Sequence, residues 1–518
     1  MNFRKVFKTV GFANLLHQPL VAPIILQFPR QAMSTQAVLS PSKNASATLP
    51  NHSRIRFQHS EDVDLLYPLL TSYIQDPSRA KTVSELVIDT QYLSGSYGCT
   101  ARQGREQILE TVVKEEIQDQ PHVELQEYTR GLDLDSNTTT EFIQSLDWKY
   151  RQITGAWQGP DCRLQKENFK FGTTAIVLLL SLCHNISSLY LGESLYQQHI
   201  LDYMLKGNYG QIKNPPLQKL RNVKFIPSFL SDPRGYATIE MFQYIQLIHR
   251  LPALESVAMD GVQEYQAQHT FFVPRTGNMK KLEITRCDID GRFLALIISI
   301  PMALEELRLS LGGLWSRDTS LPYVRPYHIG KALSAHKDSL RVLDIDIDQA
   351  AQSTSDKEWD LTEDDDEEKI EWEVDWEQKM YGHDRIALDK AISTESEKSD
   401  DKKYGRTIGS LHDYSHLTHL SISIITLLGT YDDWQPPYRL LKPAPFRLID
   451  GLPTSLEYLC IYGYYRSHNS DVDEHIDELL AKKDAQLPNL KVIKGIDEPV
   501  PSVRDIFGTD GAGLDDDL

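Results

Sequence analysis

LQKLRNVKF (Leu217–Phe225) and LPALESVAM (Leu251–Met259) follow one pattern. An apolar residue stands at every third place, and the phrase closes on two apolar residues with one residue between them. Met279–Leu282–Ile284 and Leu304–Leu307–Leu309 repeat the closing part. Successive side chains of an extended strand point to opposite faces, so each closing pair lies on one side and its flanking residues on the other. These four phrases, within Pro215–Leu309, decide how the rest of the chain is read.

Taking the first apolar residue of each closing pair as a marker gives Leu86, Leu189, Val223, Val257, Leu282, Leu307, Leu343, Leu420, Leu459 and Ile493. Consecutive markers are 103, 34, 34, 25, 25, 36, 77, 39 and 34 residues apart. Most steps fall at or somewhat above the roughly 20–29 residues of a leucine-rich repeat, whose signature this phrase carries. The two long steps call for insertions or further repeats. The intervals also contain helical patterns. Ile239, Phe242, Ile245 and Ile248 share a face, as do Ile329, Leu333 and His336, and again Ile476, Leu479 and Leu480; Phe293–Ile300 is apolar throughout. Strand and helix in alternation give a parallel sheet with helices outside it. The expected fold is therefore α/β: a leucine-rich-repeat-type solenoid, with a curved parallel sheet and outer helices, in which stacking buries what no single repeat can. The competing reading is an ordinary α/β domain with leucine-rich strands.

The bulk numbers bound the class. A hydrophobic content of 41% supplies a core, and a net charge of −19 argues against a general nucleic-acid binder, whose footprint is a basic face. Cys99, Cys162, Cys183, Cys287 and Cys460 are scattered without a C-x-x-C, which suggests reduced, buried thiols and a cytoplasmic or nuclear setting. The apolar run Ala175–Leu180 is far short of the ~20 residues that span a bilayer, so no membrane is expected and the run reads as a core helix.

In chain order, residues 1–60 contain no Asp or Glu but several Arg and Lys, and read as a basic, disordered segment. Residues 1–32 alternatively resemble a mitochondrial presequence, and Met33 is an alternative start. Residues 61–350 hold the first part of the solenoid. Helices are expected within Gly104–Gln118 and Glu141–Trp157, filling the first long step at the N-terminal end. Residues 351–405 form an acidic insertion: Glu363–Glu368 is six acids in a row, with Trp359, Trp372 and Trp376 around it. Residues 406–500 carry the last repeats, and 501–518 an acidic tail.

Three stretches resemble the repeat region of fungal F-box/leucine-rich-repeat-like proteins: DLLYPLLTSYIQDPSRAKTVSELVIDT (Asp64–Thr90), TAIVLLLSLCHNISSLYLG (Thr174–Gly192) and LPTSLEYLCIYGY (Leu452–Tyr464). The resemblance implies protein recognition, and with an F-box it would imply docking onto the adaptor subunit of an SCF-type ubiquitin ligase as a substrate receptor. Here Leu49–Pro50 is followed by NHSRIRFQHS, without the acidic, leucine-rich helix of that module, so no F-box contact residue carries over.

Nucleotide-binding glycine loops, a zinc-protease H-E-x-x-H and a G-x-S-x-G elbow are absent from the sequence. His412, His416 and His419 do not share a strand face, and Asp344 and Asp346 read as a charged, exposed strand face. No catalytic residue, cofactor or metal is therefore assigned, and an enzyme is the disfavoured class. What remains is a polar surface made of the residues flanking each closing pair. From these, Tyr190, Lys224, Glu283, Arg308, Asp344, Asp346, Tyr458 and Tyr462 are the candidate partner-binding residues, with tyrosine and arginine as the expected anchors of a non-enzymatic protein-interaction module.

Overall fold

The closing pairs become short strands of one sheet. The computed structural model describes residues 53–57, 62–88, 119–156, 161–192, 198–225, 236–238, 241–264, 273–289, 291–314, 324–348, 403–429, 440, 444–503 and 505. Its main ladder runs β1 (Arg54–Phe57), β2 (Glu85–Ile88), β3 (Ser188–Leu191), β4 (Asn222–Phe225), β6 (Ser256–Asp260), β8 (Lys281–Ile289), β9 (Glu306–Leu311), β10 (Val342–Asp346), β11 (His419–Ser423), β12 (Tyr458–Tyr462) and β13 (Val492–Lys494). Two short strands, β5 (Ala237–Thr238) and β7 (Val262–Glu264), attach beside the end of β8. Every pairing is parallel. The sheet is open, ending at β1 and β13.

All ten markers fall into a single cross-strand row, each the register partner of the next. Nine are buried and Ile493, on the last strand, is half-buried. A one-residue slip anywhere would turn that strand's apolar pair outward, so the row itself holds the register. Each fully buried marker contributes about 1.5–3 kcal/mol of transfer free energy.

Helices cover the marker side. They are α1 (Asp62–Gln75), α2 (Pro77–Ala80), α3 (Asp119–Arg130), α4 (Ser136–Ile153), α5 (Asp161–Leu182), α6 (Gln198–Asn208), α7 (Met241–Ile248), α8 (Gly291–Ser299), α9 (Pro326–Leu333), α10 (Ile424–Leu428) and α11 (Ser470–Gln486). Neighbouring crossover helices pack on one another: α1 on α5, α5 on α6, α6 on α7, α8 on α9. Among the described residues no helix is long and apolar enough to cross a membrane.

Both long steps are insertions between adjacent strands. β2 pairs directly with β3, and β10 with β11. In the first, α3 and α4 pack against α1 and α5 at the β1 end of the sheet. Ala175–Leu180 is buried on every side because α5 touches α1, α4 and α6 as well as the core. The stretch expected to be helical at Gly104–Gln118 lies outside the described residues, as do residues 1–52, the acidic run with its three tryptophans, and the tail beyond Asp505.

Three segment boundaries need correction. The sheet starts earlier than the repeat pattern places it: Arg54–Phe57, inside the expected disordered segment, is β1, and Ile55 extends the marker row. The chain returns from the acidic insertion two residues before residue 406, because Tyr404 is buried. Ile408 then packs so closely on α9 that a Cβ at Gly330 would sit 1.9 Å from its carbonyl oxygen. The tail also starts docked: Ser502 is buried and Val500 bridges to Tyr462.

Candidate functional site

The second face of the sheet decides what the molecule presents. Burial alternates along the strands: half-buried and buried by turns in β3, β6 and β9, and exposed and buried by turns in β4. A parallel sheet covered on both faces reads as a continuous apolar run. Alternation means that one face carries helices and the other meets solvent.

Register sorts the candidates into three rows on that face. Tyr190, Lys224, Glu283, Arg308 and Asp344 lie in one continuous row, with Ala258 between Lys224 and Glu283. It continues through Ser421 and Cys460 to Lys494. The row towards the strand starts runs Glu85, Ser188, Asn222, Ser256, Lys281, Glu306, Val342, His419, Tyr458, Val492. Thus Tyr458 sits one row away from Asp344. The row towards the strand ends contains Ser310, paired with Asp346, and Ser423, paired with Tyr462.

Contacts follow from these rows. Arg54 pairs with Glu85 at 3.0 Å and lies 5.8 Å from the Tyr190 ring. Lys281 pairs with Glu306 at 2.7 Å. His419 stacks on Tyr458, with Lys494 on the same ring 5.9 Å from its centre. Tyr462 reaches across β11 and donates its O–H to Asp344 Oδ1 at 3.0 Å. Tyr190, Tyr458 and Tyr462 are half-buried. Burial raises the Asp344 carboxyl above its usual range; Tyr462 and Arg308 oppose the shift and Glu283 adds to it.

Asp346 does not belong to an accessible surface. It is buried, and its Oδ2 accepts the Val503 N–H at 2.6 Å. Asp348 is buried beside it, and its own N–H donates to Asp346 Oδ1. Burial first, then the Asp348 charge, pushes the Asp346 carboxyl well above its usual range. The expected exposed carboxylate face is therefore a covered acidic cluster at the strand ends. The cover comes from a segment 157 residues downstream, which strand periodicity does not reveal.

Sequence reasoning also missed members of the open face. Cys460 and Lys494 complete the central row, and Arg54 and Glu85 begin the face at the other end. The signal was available: each stands one residue from a closing-pair position. Cys460 is buried, and burial raises its thiol pKa. His412 and His416 lie exposed in the turn before β11, apart from the strand position of His419.

A separate polar cluster ties the inserted helices together. Tyr67 O–H donates to His122 Nδ1 at 2.7 Å, leaving Nε2–H to donate to Asp147 at 2.9 Å. The ring of Tyr150 stacks on His122 and its hydroxyl donates to Asp119. Tyr67 is only 1% exposed, and burial pushes its phenol pKa up, so this hydroxyl meets no substrate and stays protonated. The arrangement fastens α1, α3 and α4.

Comparison with protein-family models, with curated protein sequences and with solved structures gives no match.

Proposed function

We propose that the chain is a leucine-rich-repeat-type solenoid that works as a non-enzymatic protein-recognition module through its open polar face. One observation carries the reading: eleven strands follow one another in sheet order, with one face apolar and the other polar. Stacked repeats produce that arrangement and curve the sheet, leaving a broad platform on the inner side. Many modest contacts on such a platform add up to a stable interface of standard size. Arg308 and Tyr458 are the chosen anchors, because arginine and tyrosine carry much of the energy at protein interfaces.

A photo-reactive amino acid placed at Ser256 or Ser421, on the open face, should cross-link a protein partner in cells. The same group at Lys331 or Lys483, on the helical side, should not. Cross-linking only from the helical side would sink the open-face reading. Recovery of the SCF adaptor among the cross-linked proteins would make the module a substrate receptor of that ligase.

A further inference from the structure

The sheet ends at β13 without a further strand among the described residues. Val492 N–H donates towards β12, to the Glu457 carbonyl oxygen. Backbone groups of alternate residues in a parallel strand point to opposite sides, so Ile493 N–H and C=O point outward, away from β12. The side chains along this edge are Lys491, Val492, Ile493 and Lys494; Val492 is 40% exposed and both lysines are exposed.

Register states what the next strand needs. The residues just before the strands form a ladder in which charge alternates on either side of one neutral member: Arg221, Glu255, Lys280, Glu305 and Arg341 succeed one another through backbone hydrogen bonds, then come Thr418, Glu457 and Lys491. A carboxylate beside Lys491 continues the alternation. Beside Ile493 the marker row calls for an apolar side chain; beside Val492, which is 40% exposed, an apolar side chain would cover it, and beside the exposed Lys494 a carboxylate would pair with it. A second copy does not fit. Its β1 would set Arg56 against Lys494 and Arg54 against Val492 in the same register.

We propose that the outer edge of β13 takes an extended acidic strand from a partner protein, with apolar residues against Val492 and Ile493 and carboxylates against Lys491 and Lys494. Main-chain hydrogen bonds hold such a strand and the alternating pockets select it. This edge is independent of the open-face reading, and the two fail in different measurements.

The probe is a fluorescein-labelled peptide, SEVIES, followed by fluorescence anisotropy on the full chain, with SKVIKS as its charge-reversed control. Saturable binding of SEVIES and none of SKVIKS is expected. Lys494→Glu should weaken SEVIES by about tenfold and admit SKVIKS. Ile493→Pro removes an outward N–H, which an edge strand tolerates, and should abolish binding with an unchanged melting temperature. If that variant unfolds, the charge swap at Lys494 decides alone. The proposal is overturned if SEVIES does not bind, if folded Ile493→Pro binds it equally, if the charge swap has no effect, or if Arg308→Ala removes the binding and so moves it to the open face. A dimer in light scattering that Ile493→Pro abolishes would make a second copy the occupant, and would overturn it too.

Discussion

Lys149 offers a test of how the inserted helices are held. Its side chain is 0% exposed. The ammonium donates to Asp64 Oδ1 at 2.5 Å, Gln152 Oε1 at 2.7 Å and Asn168 Oδ1 at 3.0 Å, joining α4 to α1 and α5. It also lies 5.3 Å from the centre of the Phe171 ring. Burial lowers its pKa, against the opposing pull of Asp64. Lys149→Ala removes three charge-assisted bonds, leaves their acceptors without the donor and opens a cavity. A loss of about 3–5 kcal/mol is expected, the range for breaking a buried pair on one side. Lys149→Met keeps the stem volume and removes the desolvated charge. Asp64 is 45% exposed and rehydrates, so this variant should lose only about 1–2 kcal/mol. Because the folded pKa lies below the unfolded ~10.4, the charging penalty is full below the folded value and vanishes above the unfolded one. Wild type should therefore gain on Lys149→Met as pH rises towards ~10. Urea unfolding at pH 7 and pH 10 measures both effects. Both variants lack the three bonds, so equal losses for alanine and methionine would show that the buried stem adds nothing to them, and would refute the reasoning.

Three further outcomes are expected. Asp346→Asn keeps an acceptor for Val503 N–H and removes the charge. Since the folded pKa of Asp346 is raised, its stabilising protonation is complete below the unfolded ~3.9 and lost as pH rises through the folded value. The variant should melt above wild type at pH 7, with the gap closing towards pH ~4; a pH-independent gap in calorimetry would contradict the linkage. Replacing residues 353–399 by a ten-residue Gly/Ser linker should leave β10 paired with β11 and gain about 1 kcal/mol of loop entropy; a loss above ~3 kcal/mol in denaturant titration would show that the segment packs on the sheet. Arg308→Ala and Tyr458→Ala should each cost a cross-linked partner about 1–2 kcal/mol in calorimetric titration, and unchanged affinity in both would move the anchors elsewhere.

The sheet was legible because its information is local. A closing pair and its run-up occupy nine residues, and the ten markers chosen from that phrase are one register row. β1 escaped because RIRF has the strand alternation without the preceding leucines. The open face was legible for the same reason as the sheet: a residue beside an inward apolar one points outward. Its contacts were not. That Tyr462 reaches Asp344 depends on two strands 118 residues apart, and Asp346 is covered by a chain end that follows no period. The links Tyr67–His122–Asp147 and Lys149–Asp64 were equally hidden, because helical spacing marks an apolar face and is silent about which polar groups meet between helices.

The charge pattern of the open face bears on the class of partner more sharply than the net charge does. Arg54, Arg56, Lys224, Lys281, Arg308 and Lys494 stand there with Glu85, Glu283, Glu306 and Asp344, so the face is not acidic although the chain carries −19. Total charge alone therefore gives no ground against a polyanion at this surface, since the Debye length of about 8 Å at physiological salt screens distant charges. The order of the charges does. Arg54 faces Glu85, Lys281 faces Glu306, and Arg308 stands between Glu283 and Asp344. A phosphate backbone repeats one sign and gains affinity from a run of cations. Here it would meet a carboxylate one strand away from three of the six bases, Arg54, Lys281 and Arg308, at a spacing of about 4.8 Å. A polypeptide that carries both signs meets no such penalty and can match the alternation residue by residue. The sequence of signs along the central row is the pattern that the proposed protein partner would have to match.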